Sequence, residues 1–104
     1  MSRNVQDELK QVIEANPIIL FMKGNRDMPQ CGFSARVVEI LNSCDVEFAT
    51  VDILRDPEVR QGIKVYSNWP TLPQLYVKGE FVGGCDIVTD MHLNGQLEGM
   101  LSAQ

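Results

Sequence analysis

Ile18-Ile19-Leu20-Phe21-Met22-Lys23-Gly24, followed after a short polar break by Met28-Pro29-Gln30-Cys31-Gly32-Phe33-Ser34-Ala35-Arg36-Val37-Val38-Glu39-Ile40-Leu41, holds the chemistry of this 104-residue chain. The first five residues form a continuous apolar run rich in β-branched side chains, short enough for a strand buried on both faces. A polar loop, Lys23-Gly24-Asn25-Arg26-Asp27, and then Pro29 deliver Cys31 to the start of an amphipathic run. Phe33, Val37, Ile40, Leu41 and Cys44 recur along that run at helical spacing. A helix N-terminus carries unpaired N–H groups and a partial positive charge, which favour a thiolate over a thiol. Cys31 is therefore the candidate functional thiol. Ser34 stands where a redox pair would place its second cysteine, so this thiol has no adjacent partner on its own chain.

The flanking segments continue the same alternation. Ser2 or Asn4 can cap a first helix carrying Val5, Leu9, Val12 and Ile13, and Asn16-Pro17 ends it. Residues 42–45 close the Cys31 helix, and residues 46–51 are the next strand candidate. Asp56-Pro57-Glu58 starts a helix with a cap, a proline at the first position and an acidic first turn. Val59, Ile63 and Tyr66 line that helix, and Gly62 is expected to weaken it by roughly 1 kcal/mol relative to alanine. Trp69-Pro70-Thr71-Leu72-Pro73 must be an extended connection. Residues 74–77 and 80–82, joined at Lys78-Gly79, predict a hairpin. Asp86 is expected to cap a helix through Ile87, Val88, Met91 and His92, with Gly95 breaking it and residues 97–101 resuming as a short frayed end.

The order α-β-α-β-α-β-β-α predicts one α/β domain over residues 1–104. A right-handed parallel crossover near the start and an antiparallel pair near the end give a mixed four-stranded sheet flanked by helices. Cys31 falls beyond the carboxyl end of the first strand, where sites form in such sheets.

Composition narrows the function classes. A net charge of −5 and a pI near 4.7 exclude a nucleic-acid partner, which would need a basic face. No apolar run approaches the ~20 residues of a membrane span. The first ten residues carry Asp7 and Glu8 and no apolar core, unlike a signal or transit peptide. Three cysteines cannot complete a disulfide framework within the chain, which points to a reducing, cytoplasmic compartment.

The other candidates divide. Cys44 lies about 20 Å beyond Cys31 along a continuous helix, too far to share a metal or a disulfide, and is expected to be an inert core thiol. Lys23, at the end of the first strand, can reach back across the Cys31 loop. Gly83-Gly84 before Cys85 signals close approach of backbone to a ligand or to another chain segment, and both readings stand. Asp86 is likewise either a helix cap or a ligand contact. His92 is remote from Cys31, against a Cys–His dyad, and the scattered cysteines lack the paired spacing of a zinc site. Tyr66, Trp69 and Tyr76 are expected to be core and groove wall.

Cys31-Gly32-Phe33-Ser34, Trp69-Pro70-Thr71-Leu72-Pro73-Gln74 and Gly83-Gly84-Cys85-Asp86, in that order and spacing, resemble the monothiol glutaredoxins of the CGFS class. The likeness runs from Asn16 to about Val88. It implies a thioredoxin fold and a cis Leu72-Pro73 bond. It also implies a glutathione groove in which Lys23 and Arg60 pair with the glycine carboxylate. The Leu72 backbone would pair with the cysteinyl residue as an added strand, and Cys85 and Asp86 would hold the γ-glutamyl end. For the class, the resemblance further implies a bridging [2Fe-2S] cluster held by two Cys31 thiolates and two glutathione thiolates. That makes a homodimer when cluster-bound and a monomer when apo. Expected partners are apo iron–sulfur proteins that receive the cluster, and a BolA-like protein. The competing function is glutathione-dependent reduction of disulfides or mixed disulfides by Cys31, a poor activity in the class; a cluster-dependent redox or iron sensor is a third reading. Two positions depart from the class pattern: Asn25-Arg26, where a small residue and a proline are common, and Leu72, where an aromatic or β-branched residue is common. Arg26 is expected to alter the charge near the site.

Overall fold

The computed structural model describes residues 3–102. Helix α1 (Val5–Ala15) is capped by Asn4, whose side chain accepts the Asp7 N–H at 3.1 Å. Ser2, the other cap candidate, lies outside the described residues. The helix stops at Asn16, which turns its side-chain amide back onto the Val12 carbonyl at 2.7 Å. Strand β1 (Ile18–Met22) is buried at all five positions. Its burial follows from its place in the sheet, whose order is β2 (Ala49–Asp52), β1, β3 (Gln74–Val77), β4 (Glu80–Gly83). β1 pairs parallel with β2 and antiparallel with β3, and β3 pairs antiparallel with β4 through a turn in which Lys78 and Gly79 both take positive φ. The expected mixed four-stranded sheet is present.

The period-2 alternation of a strand sorts β1 into two cores. Ile18, Leu20 and Met22 pack against α2 (Gly32–Ser43), α4 (Cys85–Leu93) and α5 (Gln96–Ser102), through Val37, Ile40, Leu41, Val88, Leu97 and Leu101. Ile19 and Phe21 face the other way, onto Leu9 and Ile13 of α1 and Ile63 of α3 (Pro57–Ser67). Tyr76 closes that second core edge-on to Phe21, with ring centroids 5.6 Å apart.

Several sequence expectations are corrected. β2 begins at Ala49 because its parallel register sets Ala49 against Ile19, which carries residues 46 and 47 past the start of β1. A 3-10 turn (Ile53–Arg55), capped by Asp52, follows β2 and was not foreseen. Gly84, not Asp86, is the N-cap of α4. β4 runs so directly into that helix that a Cβ at Gly83 would lie 2.8 Å from the Ile87 Cβ. α5 is no frayed end: Gly95 (φ 83) turns the chain back, and Leu97 and Leu101 are 0% and 1% exposed. Phe33 leaves the core face of α2 and is 63% exposed, although Ser34 beside it is fully buried.

Gly62 also acquires a reason. A Cβ there would fall 2.6 Å from the Val5 Cγ1, and the Gly62 carbonyl accepts the Gln6 side-chain amide at 2.9 Å. The residue is the contact point between α1 and α3. Gly62→Ala should therefore destabilise by about 1 kcal/mol in urea unfolding, because overpacking by ~1–3 kcal/mol exceeds the helix-propensity gain of ~1 kcal/mol. A stabilised variant would mean that α1 moves aside freely. Leu97→Ala should cost about 2–5 kcal/mol, as a core truncation does, against under ~0.5 kcal/mol for a frayed end.

Candidate functional site

The loop between β1 and α2 is closed by its own backbone. The Gln30 N–H donates to the Lys23 carbonyl at 2.8 Å, and the Asn25 side-chain oxygen accepts the Asp27 and Met28 N–H groups at 2.9 Å. Gly24 is required at the bend. Its φ is +88, a Cβ would lie 2.5 Å from the Met28 carbonyl oxygen, and its N–H reaches the Asp52 carboxylate at 2.9 Å. Asp52 thereby ties the loop to the end of β2.

This closure sets Cys31 as the extended N-cap of α2. Its sulfur closes no full capping hydrogen bond. The Ser34 N–H nonetheless acts on it most strongly, drawing the thiol pKa below its ordinary value. Partial burial opposes this, and the Phe33 N–H, the Lys23 charge and the Ser34 hydroxyl add to the lowering. The thiolate is thus favoured chiefly by amides and secondarily by a cation. Ser34 is fully buried, and its hydroxyl accepts the Lys23 N–H at 3.1 Å. The residue in the second-cysteine position fastens α2 to the end of β1.

Cys31 itself is not among the lining residues of the nearby groove of about 390 Å³, but Lys23 and Phe33, which both act on its sulfur, are. The groove brings together Lys23, Arg60, Leu72, Cys85 and Asp86, which sequence alone scattered over 64 positions (23 to 86, inclusive). Leu72 is 8% exposed with its side chain in the α1/α3 core, so it offers the groove its backbone. The Leu72-Pro73 bond is cis, as expected. The connection leading to it is held by the buried Gln74, whose amide donates to the Trp69 and Thr71 carbonyls at 3.2 Å and whose oxygen accepts the Tyr76 hydroxyl at 3.0 Å. Burial pushes the Tyr76 phenol up to about 12, so it remains a donor.

Gly83 and Gly84 both approach protein closely, and Gly84 also lines the groove. A Cβ at Gly84 would approach the Pro73 carbonyl oxygen at 3.3 Å and the Trp69 Nε1 at 3.5 Å, so the glycines admit protein neighbours. Cys85 and Asp86 then stand in the first turn of α4, on the groove wall. The Cys85 sulfur has the Thr89 hydroxyl 3.9 Å away.

Arg26 is not among the residues lining the groove. Its guanidinium lies 4.2 Å from the Phe48 ring centroid and donates to the Phe48 carbonyl, next to β2. Sequence reading missed Lys64, a third groove cation, although its i,i+4 relation to Arg60 on α3 would have revealed it. It also missed the bracing by Gln74 and Asp52, for which no local pattern exists. His92 is half-buried in the last turn of α4, outside the groove lining, and no helix among the described residues is long and apolar enough to cross a membrane.

Comparisons with known proteins agree with this geometry. Residues 18–82 match the glutaredoxin family. A monothiol glutaredoxin of Synechocystis sp. is 54% identical over 101 residues, covering 97% of this chain and 94% of that protein. Human glutaredoxin-3 is 57% identical over 93 residues, covering 89% of this chain, which spans only 28% of that longer protein. The solution structure of reduced poplar apo GrxS14 superposes with a TM-score of 0.81 at 48% identity, over 91% of this chain and 87% of that one.

Ionised Cys31 stabilises the folded state, because folding lowers its pKa. That contribution is present above the unfolded-state pKa and is lost as pH falls through the lower folded value. Site-resolved alkylation across pH should show a Cys31 midpoint below the ordinary thiol value, and a Cys44 midpoint above it, where burial and Glu98 push that thiol up. Lys23→Met should remove only a minor part of the Cys31 shift. A midpoint returned to the ordinary value in Lys23→Met would assign the thiolate to the cation and not to the helix amides.

Proposed function

This chain belongs to the glutaredoxin family, with monothiol members among its relatives, and from that premise we propose that it is a glutathione-dependent carrier of a [2Fe-2S] cluster. The observation that carries the reading is Cys31 itself: a thiolate-favouring sulfur on a helix N-terminus, with a buried serine at 34, beside a cation-lined groove.

The groove suits glutathione by charge and by shape. A tripeptide with two carboxylates meets Lys23, Arg60 and Lys64, the backbone of Leu72 on the groove wall, and the free amides of the first turn of α4 at Cys85 and Asp86. Lys23 and Arg60 would take the glycine carboxylate, and the α4 amides the γ-glutamyl end. Three of the chain's nine Lys and Arg residues line this one groove, although the net charge is −5.

The cluster is cargo and requires four sulfur ligands. Cys31 supplies one thiolate, and Ser34 cannot add a second from the same loop. Two chains and two glutathione thiols complete the set, so loading dimerises the protein and unloading returns the monomer. Phe33 and Ile87, exposed on the groove wall, are the apolar surface that a second copy would cover. Because the external ligands dissociate, the cluster can pass to apo iron–sulfur proteins, and a BolA-like protein is a candidate heterodimer partner.

The low Cys31 pKa supports a second reading. The thiolate can attack the protein sulfur's glutathione adduct at the glutathione sulfur, so that the protein thiolate leaves and Cys31 carries glutathione. A second glutathione thiolate then attacks that sulfur, forming oxidised glutathione and releasing the Cys31 thiolate.

Anaerobic reconstitution with iron, sulfide and glutathione separates the readings. The expected product is a coloured dimer that becomes a colourless monomer on cluster loss. Cys31→Ser should bind no cluster, and Arg60→Gln should require several-fold more glutathione. A normal cluster in Cys31→Ser, or assembly without glutathione or another added thiol, would overturn the carrier reading. Rapid turnover of a small mixed disulfide with no cluster formed would establish the oxidoreductase.

A further inference from the structure

At the opposite end of α2 from Cys31, three helices bring together residues that the groove chemistry leaves unused. Cys44 is the C-cap of α2, His92 lies in the last turn of α4, and Glu98 lies in the first turn of α5. Their ligand atoms all lie within 4.8 Å of one another. The Glu98 Oε1 is 3.6 Å from the Cys44 Sγ and 2.8 Å from the His92 Nδ1. We propose that Cys44, His92 and Glu98 form a binding site for a zinc-class divalent cation, separate from the Cys31 groove and independent of the function proposed for it.

The chemistry of the donors selects the ion. A thiol, an imidazole and a carboxylate suit a borderline-soft metal, whereas magnesium and calcium take oxygen ligands. Tetrahedral zinc, with sulfur at ~2.3 Å and nitrogen or oxygen at ~2.0–2.1 Å, sets ligand–ligand edges of about 3.3–3.6 Å. The present sulfur–oxygen separation already meets that edge. The nitrogen–oxygen pair must open by about 0.5 Å, which the half-exposed Glu98 side chain can provide by rotation. Thiolate and carboxylate together neutralise the two positive charges, and a water takes the fourth position on the open side. On binding, the Cys44 S–H bond gives way to a sulfur–metal bond and its proton passes to solvent, while the His92 ring exchanges its Nδ1–H for the Nε2–H tautomer so that the Nδ1 lone pair faces the metal.

Without metal, the same carboxylate accepts hydrogen bonds from the thiol and the ring, so the three side chains are already gathered. It is also placed to matter mechanically. α5 reaches the body of the fold through the Gly95 turn, and a metal bound here would pin it to α2 and α4. Sequence inspection passed over the site because its ligands follow no paired spacing and come from three separate helices.

The test uses the full chain carrying Cys31→Ser and Cys85→Ser, which leaves Cys44 as its one thiol, under non-thiol reductant. Titration with Co2+ should give one equivalent with a sulfur-to-cobalt charge-transfer band, displaced by Zn2+. Adding Cys44→Ser should abolish the band. His92→Gln and Glu98→Gln should each weaken binding at least about tenfold, since even outer-shell changes at metal sites cost ~10–100-fold. Circular dichroism of each variant without metal verifies its fold. In the unmodified chain, Zn2+ should slow amide hydrogen exchange in α5, a second readout that needs no variant. A missing thiolate band, a band that survives Cys44→Ser, affinity untouched by His92→Gln and Glu98→Gln, or α5 exchange indifferent to Zn2+ would overturn the site.

Discussion

In the first turn of α2, the buried Ser34 hydroxyl accepts the Lys23 N–H at 3.1 Å, and that bond locks the helix N-terminus to the carboxyl end of the central strand. The environment of Cys31 hangs from this junction. The same turn presents the Ser34 and Phe33 amides to the Cys31 sulfur, while the strand end holds the Lys23 side chain close enough for its charge to be felt. Were the helix to start one residue later, the sulfur would leave the zone in which unpaired amides act, because the field of a helix terminus fades within its first turn. Gly24 and Asp52 serve the junction from outside, the one by permitting the bend and the other by tying it to β2.

The sheet supplies the rigidity that this arrangement needs. β1 is buried on both faces, so its end cannot shift without disturbing two cores. On one side α1 and α3 meet at Gly62, which sets the height at which Arg60 and Lys64 stand over the groove. On the other side α2 and α4 pack through Val37 and Val88, which positions the first turn of α4 as the far wall. The fully satisfied Gln74 amide then braces the Trp69–Pro73 connection between them. A polar residue buried in an apolar setting is tolerable there because both ends of its amide are hydrogen-bonded.

Much of the fold was legible because its signals are local. The Ile18–Met22 run, the Asp56-Pro57 helix start and the Lys78-Gly79 turn each depend on backbone preferences of a few adjacent residues. The misreadings have a common cause. Phe33 fits the helical stripe of α2, yet it opens onto the groove and not into the core. Gly62 looks like a weak point in a helix until α1 is laid across it. Arg26 looks like an added charge at the site until Phe48, 22 residues on, offers a ring face and a carbonyl.

The amino-acid sequence by itself singled out Cys31 as the candidate thiol, since a loop, a helix start and a serine in the fourth position are facts of neighbouring residues. It also determined the alternation of strands and helices, because hydrophobic period and turn chemistry act over short range. Only the tertiary structure decided that Lys23, Arg60, Lys64, the Leu72 backbone and the first turn of α4 share one groove. Only the tertiary structure, likewise, set Cys44, His92 and Glu98 together at the far end of α2. The physical reason is the same in both cases: charges and ligand atoms act across a few ångströms of space, and packing on a twisted sheet, not distance along the chain, chooses which of them meet.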